Sequence, residues 1–427
     1  MNRSDSKYRL YGSPTNHASL LPSSLSPQIG INRHAIYPLI RSLLVASSAV
    51  FLFLFFLLYD TKYSWFDIKT TNTNAHNDEA ARLASSKAFL LTLPHAHAPA
   101  PAPSDSPGLC IYIISGSPRP QQYLTQATAF LLSRTDSTQS RIAIVNTNIP
   151  PSAHSEAIRL AQHVPILIPT RRNVTTDDEW TQLSWWKKGS YDFAAVFDLA
   201  HDSHCLVTVV LEDDAVVGPA FSETVRRRLA RLLASDESQC SWAYIKLFWT
   251  HYWDGWEVSV ADVLVLAAVS LTAGIVCALV ALARLQRRRA LGGSAVQAML
   301  LVVFAFGCVV ALLVLLSVGK QNWRRWLGAS ETGVVPSVAA AAAVGQVYSK
   351  CHLRGMADFL YARAADDVPV DILFNAYVAE KQVRIYEVVP NVVQHVGLYS
   401  SAEVKNKGTA KFMKVSSTFV GDSVKVS

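Results

Sequence analysis

The chain has 427 residues, 50% of them hydrophobic and only 17% charged, and carries a net charge of +7. Glycine and proline number 19 each and cysteine 6, which excludes a collagen-like chain, a low-complexity disordered chain and a small disulfide scaffold. The length suits one large or two ordinary domains, and the placement of the charge, not its sum, indicates the class of partner.

Residues 1–41 are rich in Ser and Pro and read as a disordered cytosolic tail, with Arg3, Lys7, Arg9, Arg33 and Arg41 set against Asp5 alone. Ser42–Tyr59 follows without a charge, and two further uncharged stretches, Val263–Ala283 and Ala290–Gly319, come later. A helix needs about 20 mostly apolar residues to cross a bilayer, and none of the three shows the polar stripe of a core helix. The loop between the last two carries Arg284, Arg287, Arg288 and Arg289. Both basic clusters then belong in the cytosol, so the positive excess is topological and implies no nucleic-acid partner. Three spans place the remaining chain, including the C-terminus, across the membrane. The first span reads as a signal anchor at 42–59, because its apolar core exceeds the usual 7–15 residues of a cleaved signal.

Residues 60–108 read as a stem ending in the extended tract PHAHAPAPAPSDSPG. A folded pattern starts with the apolar strand LCIYIIS (109–115), followed by the turn GSPRP and the helical stretch QQYLTQATAFLLSR. The runs RIAIVN (141–146) and VPILIP (164–169), a helical stretch through WWKKGSYDFAAVFDLA, and the strand CLVTVVLEDD follow. Strands without polar alternation, separated by helices, predict a mainly parallel sheet covered on both faces. The hairpin (257–319, with its basic loop at 284–295) interrupts this unit, giving a first part at 109–256, a second at 320–401 and a tail at 402–427. Val334–Tyr348, apolar but broken by Pro336 and Gly345, reads as a buried strand or helix. Cys110, Cys205, Cys240 and Cys351 fall on the lumenal side, where oxidation permits three pairings; Cys240–Cys351 would staple the two parts. Asn173-Val174-Thr175 is an N-glycosylation sequon.

Glu212-Asp213-Asp214 ends the strand VTVVL. Adjacent carboxylates at the C-terminal end of a buried strand repel one another unless a cation neutralises them, and that end is where α/β sheets bind ligands. A hard divalent ion bridging carboxylates to substrate phosphates fits this pattern. The run SWAYIKLFWTHYWDGWE (241–257) offers Lys246 to a phosphate, and Trp253 and Trp256 either to a sugar or to the membrane interface. Asp371 opens a helical stretch after Pro369, where a carboxylate suits a helix dipole or a general base, with Asp366 and Asp367 as rivals.

The acidic triplet resembles the D-x-D site of GT-A glycosyltransferases, which grips a nucleotide-sugar through a divalent metal. The resemblance implies Asp214 as a direct ligand, and Glu212, which departs from D-x-D, meeting the ribose or a metal-bound water. His395 in PNVVQHVGLYSS would complete the shell; its H-V-G-x-x-S-S run resembles the ending of N-acetylglucosaminyltransferase-IV-like enzymes. Taken whole, an anchor, an E-D-D triplet and a GT-A domain split by a membrane hairpin are similar to the Golgi GPI-N-acetylgalactosaminyltransferases. That resemblance implies a Rossmann-like α/β fold, UDP-GalNAc as donor, Mn²⁺ (or Mg²⁺), a GPI-core mannose as acceptor, and a multi-pass Golgi protein, with the ER as the alternative. It also implies inversion and hence an in-line base, for which Asp371 is the choice. An N-glycan-branching transferase and a non-catalytic lumenal adaptor are the competing readings. Transport is disfavoured because the spans carry no Asp, Glu, Lys or Arg.

Overall fold

The computed structural model describes residues 72–94, 108–136, 140–172, 176–203, 205–235, 240–248, 260–288, 293–318, 333–337, 343–389, 391–397 and 425–426, with isolated helical positions at 41, 45, 48 and 52. The tail at 1–41 and the anchor at 42–59 lie outside the described residues apart from those positions. So do the Pro/Ala tract, Trp253, Trp256, the sequon at Asn173 and most of the C-terminal tail.

Among the described residues the strands are β1 (Leu109–Ser115), β2 (Ser140–Asn146), β3 (Ile166–Leu167), β4 (Val207–Glu212), β5 (Ala215–Val217), β6 (Trp242–Lys246), β7 (Val334–Pro336), β8 (Gly345–Ser349), β9 (Arg384–Val388) and β10 (Val393–His395). The helices are α1 (Asn72–Thr92), α2 (Tyr123–Arg134), α3 (Ser155–Leu160), α4 (Asp177–Gln182), α5 (Trp185–Asp202), α6 (Phe221–Ser235), α7 (Val260–Arg288), α8 (Gly293–Val318), α9 (Lys350–Arg363) and α10 (Val370–Lys381).

Eight strands form one twisted layer in the order β3-β2-β1-β4-β8-β6-β9-β7. β1 to β4 run parallel, β8 and β7 run against them, and β6 and β9 are again parallel to each other. The uninterrupted apolar runs are explained by the layering, because both faces are buried. One face packs Ile111, Ile113, Val209 and Ile245 under α1, α2, α3 and α6. The other packs Tyr112, Val210, Tyr244 and Tyr348 under α5, α9 and α10. Val334–Tyr348 resolves into β7 and β8, and β8 slots between β4 and β6, so strands from both sides of the hairpin share one sheet.

Two features refine the sequence reading. The segment 60–108 is not an extended tether throughout: α1 docks on α2, with Arg82 Nε donating to Gln126 Oε1 at 2.6 Å and Ser86 and Leu90 buried. The cysteines pair as Cys110–Cys205, within the first part, and Cys240–Cys351, across the hairpin.

α7 and α8 are long and apolar enough to cross a membrane, and only 11% of each apolar stretch is buried, unlike a soluble core helix. They cross at small residues. A Cβ on Gly274 would press on Cys308 Sγ and meet the Phe304 carbonyl oxygen at 2.8 Å, and one on Gly307 would meet Gly274 Cα at 3.0 Å. Such close approach is how apolar helices associate where lipid supplies no hydrophobic drive.

Candidate functional site

β4 is buried through Leu211 and delivers Glu212 at its C-terminal end, two residues beyond Val210 and on the same face. After the turn at Asp213-Asp214 the chain leaves the main layer as β5, which pairs antiparallel with β10. That register sets His395 opposite Ala215, and Val396 N–H donates to the Asp214 carbonyl at 2.9 Å. The segment before β10 is also tied to the end of β6, since Val392 N–H donates to the Leu247 carbonyl at 3.1 Å. A ladder of three residue pairs thus carries a histidine from beyond the hairpin to a carboxylate before it.

The result is one cluster. Glu212, Asp214 and His395 offer ligand atoms that all lie within 4.8 Å of one another. His395 Nε2 sits 3.2 Å from Asp214 Oδ1, and Phe248 backs the imidazole at 6.2 Å between ring centroids. Among the described residues His395 Nδ1 is buried without a hydrogen-bond partner, while Asp214 Oδ1 meets the imidazole Nε2. Two carboxylates and an imidazole, with polar atoms left for a further partner, form a donor set suited to Mn²⁺ or Mg²⁺. Gly397 makes the close packing feasible, because a Cβ there would run into Asp214 Oδ2.

The electrostatics divide the three acids. Burial pushes the Glu212 carboxyl up to about 7, reinforced by the Asp214 charge. Burial also raises Asp213, with Arg119 opposing it. Asp214 goes the other way: burial would raise it, but His395 and Arg119 outweigh burial and hold it below the usual carboxylate range. His395 is correspondingly raised, the Asp214 charge overcoming burial. Without a metal the negative charge is therefore favoured on Asp214, while protonation of Glu212 is favoured relative to an ordinary carboxyl.

Arg119, from the GSPRP turn after β1, supplies the counter-charge. Its Nη1 donates to Asp214 Oδ2 at 2.7 Å and its Nη2 to Asp213 Oδ1 at 2.5 Å. Asp213 Oδ2 accepts from Ser115 Oγ at 2.7 Å. Both oxygens of Asp213 are thus engaged by protein groups, which makes it an anchor of the turn and not a member of the ligand cluster. Sequence reasoning missed Arg119, Ser115, His154 and Gly397; only the position of the first two at the end of an apolar strand hinted at them.

The remaining expected residues fall elsewhere. Lys246 is buried in β6, two strands from β4, in register with Gln346 and Glu387. Asp371 lies in the first turn of α10, within electrostatic reach of Tyr244, whose phenol is raised by burial first and by Asp371 second. Asp366 is paired with Arg363 at 2.5 Å, and Asp367 accepts from Ser184 before α5, so both rivals are engaged by other side chains. A cavity of about 590 Å³ opens between α10 and the strands β9 and β7, lined by Asn375, Val378, Arg384, Tyr386 and Ser337 among others. Along the sheet the order is acids on β4, Asp371 beside β6, and this cavity at β9.

No curated protein matches the chain at the level of sequence. Among solved structures, the mannosyltransferase PcManGT from Pyrobaculum calidifontis, in complex with GDP-Man and Mn²⁺, is similar over 40% of this chain and 44% of its own, at 12% identity and a TM-score of 0.21. The family model of the GPI-N-acetylgalactosamine transferase PGAP4 matches residues 109–394, from the first residue of β1 across the hairpin into β10. With one sheet built from both sides of that hairpin and closed by the β5–β10 pair, the chain belongs to this family of glycosyltransferases.

Proposed function

We propose that this chain transfers N-acetylgalactosamine from UDP-GalNAc, with inversion, to a mannose of the GPI core glycan on the lumenal side of the Golgi membrane, using a GT-A-type domain. The observation that carries the reading is the meeting of Glu212, Asp214 and His395 in a family domain interrupted by two apolar helices.

Glu212, Asp214 and His395 would hold Mn²⁺, which when bound neutralises the donor diphosphate and the charge of the leaving nucleotide. Arg119 bridges Asp213 and Asp214 and keeps a guanidinium charge beside the cluster, which would favour an anionic donor diphosphate. Asp371 accepts the proton of the attacking mannose hydroxyl, the in-line base that inversion requires. The cavity between α10 and β9, within the usual 300–1,000 Å³ range for ligand sites, offers room for the rest of the acceptor glycan. A GPI glycan is tethered close to the bilayer, and α7 and α8 would fix the height and tilt of the cleft against it, raising the fraction of productive encounters.

The test is transfer by the purified full chain from a panel of UDP-sugars to GPI-anchored acceptor, with and without EDTA. The expected result is GalNAc transfer abolished by chelation and restored by Mn²⁺. Replacing residues 260–318 with a soluble linker should preserve Mn²⁺-dependent UDP binding and sharply reduce transfer to GPI. Transfer that survives chelation sinks the metal centre, and equal GPI transfer without the hairpin sinks the tethering argument.

A further inference from the structure

His154 caps α3 from the loop after β2, is fully buried, and touches no ligand atom of the metal cluster. Its two ring nitrogens are both engaged. Ala157 N–H points at Nδ1 at 3.3 Å, and Nε2 lies 2.7 Å from Ser115 Oγ. A backbone N–H can only donate, so Nδ1 must be the acceptor and the ring proton must sit on Nε2. Nε2–H then donates to Ser115 Oγ, and the single Ser115 hydroxyl proton is left for Asp213 Oδ2, 2.7 Å away. The opposite polarity would set an Nδ1–H against the Ala157 N–H. Burial pushes the imidazole down to about 4, so it stays neutral and keeps this tautomer across the physiological range.

The direction of every bond is therefore fixed from a helix terminus to the acidic turn. The Ala157 amide sets His154, His154 sets Ser115, and Ser115 sets one oxygen of Asp213. The other oxygen of Asp213 holds Arg119, and Arg119 holds Asp214. We propose that His154 is a positioning residue for the metal and donor site: as a locked Nε2–H donor it orients Ser115, and through it the Asp213–Arg119–Asp214 array. This rests on the metal-centre reading above.

The two ring nitrogens can be separated by substitution. Asn places its terminal atoms near the position of Nδ1, so His154→Asn keeps the helix cap and loses the bond to Ser115. Gln reaches the position of Nε2, so His154→Gln keeps a donor for Ser115 and loses the cap. Mn²⁺ affinity of the full chain in detergent, read from the free-ion EPR signal, and thermal unfolding of the same samples distinguish the two roles. Removing a group that orients a ligand shell commonly weakens metal binding about 10–100-fold. His154→Asn is expected to fall in that range with unfolding close to wild type, and His154→Gln to bind within about threefold of wild type while unfolding earlier. Ser115→Ala leaves the cap intact and should match the loss of His154→Asn, which keeps the test alive if the Asn variant fails to fold. Wild-type affinity in Ser115→Ala, or equal losses in the Asn and Gln variants, overturns the positioning role. A wild-type chain that takes up no Mn²⁺ overturns instead the metal reading beneath it.

Discussion

The two faces of the sheet are closed by different parts of the chain. One is covered by α1, α2, α3 and α6, all of which precede the membrane hairpin. The other is covered by α5 from before it and by α9 and α10 from after it. The disulfides follow the same division, Cys110–Cys205 within the first part and Cys240–Cys351 across the hairpin. The candidate metal cluster draws on both parts as well, its acids coming from the end of β4 and the turn that follows and its histidine from β10. The candidate site and the shared face are thus both built from chain on either side of the hairpin, and a defect that separates the two parts should weaken the site.

The largest expected effect comes from breaking that shared face. Phe374 on α10 is fully buried and packs edge-on to Phe193 of α5 at 5.6 Å and Tyr348 of β8 at 6.0 Å, with Phe197 at 5.8 Å. Phe374→Ala should cost about 3–5 kcal/mol. The loss should concentrate in residues 343–397, so hydrogen exchange accelerates there first and Mn²⁺ affinity falls with it. Leu124→Ala on the other face should cost about 2–5 kcal/mol without that selective loosening. Equal exchange patterns in the two variants would remove the distinction between the faces.

Much of this arrangement was legible in the sequence, and for different reasons on the two sides of the hairpin. The strands before it are continuous β-branched runs such as LCIYIIS, and burial on both faces leaves them no polar position to obscure the pattern. The acids were legible because charge at the end of such a run is costly without a partner. Beyond the hairpin, VVPSVAAAAAVGQVY left strand and helix undecided, since Ala-rich runs pack in either and only the slot between β4 and β6 selects a strand. Arg119 and His154 were hidden more deeply. Their roles come from contacts with residues 94 to 95 and 39 positions away, and no local periodicity encodes those. The helix α1 within 60–108 went unread for a related reason: it is weakly amphipathic and is held by two polar side chains reaching α2.

The second effect sharpens the electrostatic side of the comparison. Glu212 has a carboxyl pKa of about 7 in the folded chain against an ordinary value of 4.5, so the folded state binds its proton more tightly than the unfolded state does. For this sign of shift the stabilisation is fully present below pH 4.5 and is lost as pH rises to about 7. Asp214, held below the usual range, completes its titration at lower pH and does not contribute in this window. Glu212→Gln keeps the shape and removes the titration. In EDTA the variant should gain stability over wild type as pH rises from 4.5 to 7, by an amount on the order of 3 kcal/mol. Added Mn²⁺ should reverse the order, because wild type then supplies a carboxylate that the variant lacks. A difference that stays flat with pH in EDTA would show that Glu212 is ionised in the metal-free site.

The smallest effect isolates the join itself. Gly397 lies two residues beyond His395, and a Cβ there would overlap Asp214 Oδ2, the oxygen that accepts from Arg119 Nη1. The residue takes no positive φ, so alanine fits the backbone and the nearest conflict is with the side chain of Asp214. The side chain of Asp214 can relieve it only by rotating, which breaks either the 2.7 Å bond to Arg119 or the 3.2 Å approach to His395. Gly397→Ala should therefore weaken Mn²⁺ binding about tenfold, equivalent to about 1.4 kcal/mol, and lower stability in EDTA by about 1–3 kcal/mol, the cost of a buried group left short of a partner. The same change at Gly108, whose Cβ would meet nothing within 4 Å, provides the control for a general glycine effect. Parallel changes of stability and metal affinity in both variants would make the effect of Gly397 a general glycine effect and not one of the site. A loss of metal binding confined to Gly397→Ala would show that the segment beyond the hairpin sets the orientation of a ligand that precedes it.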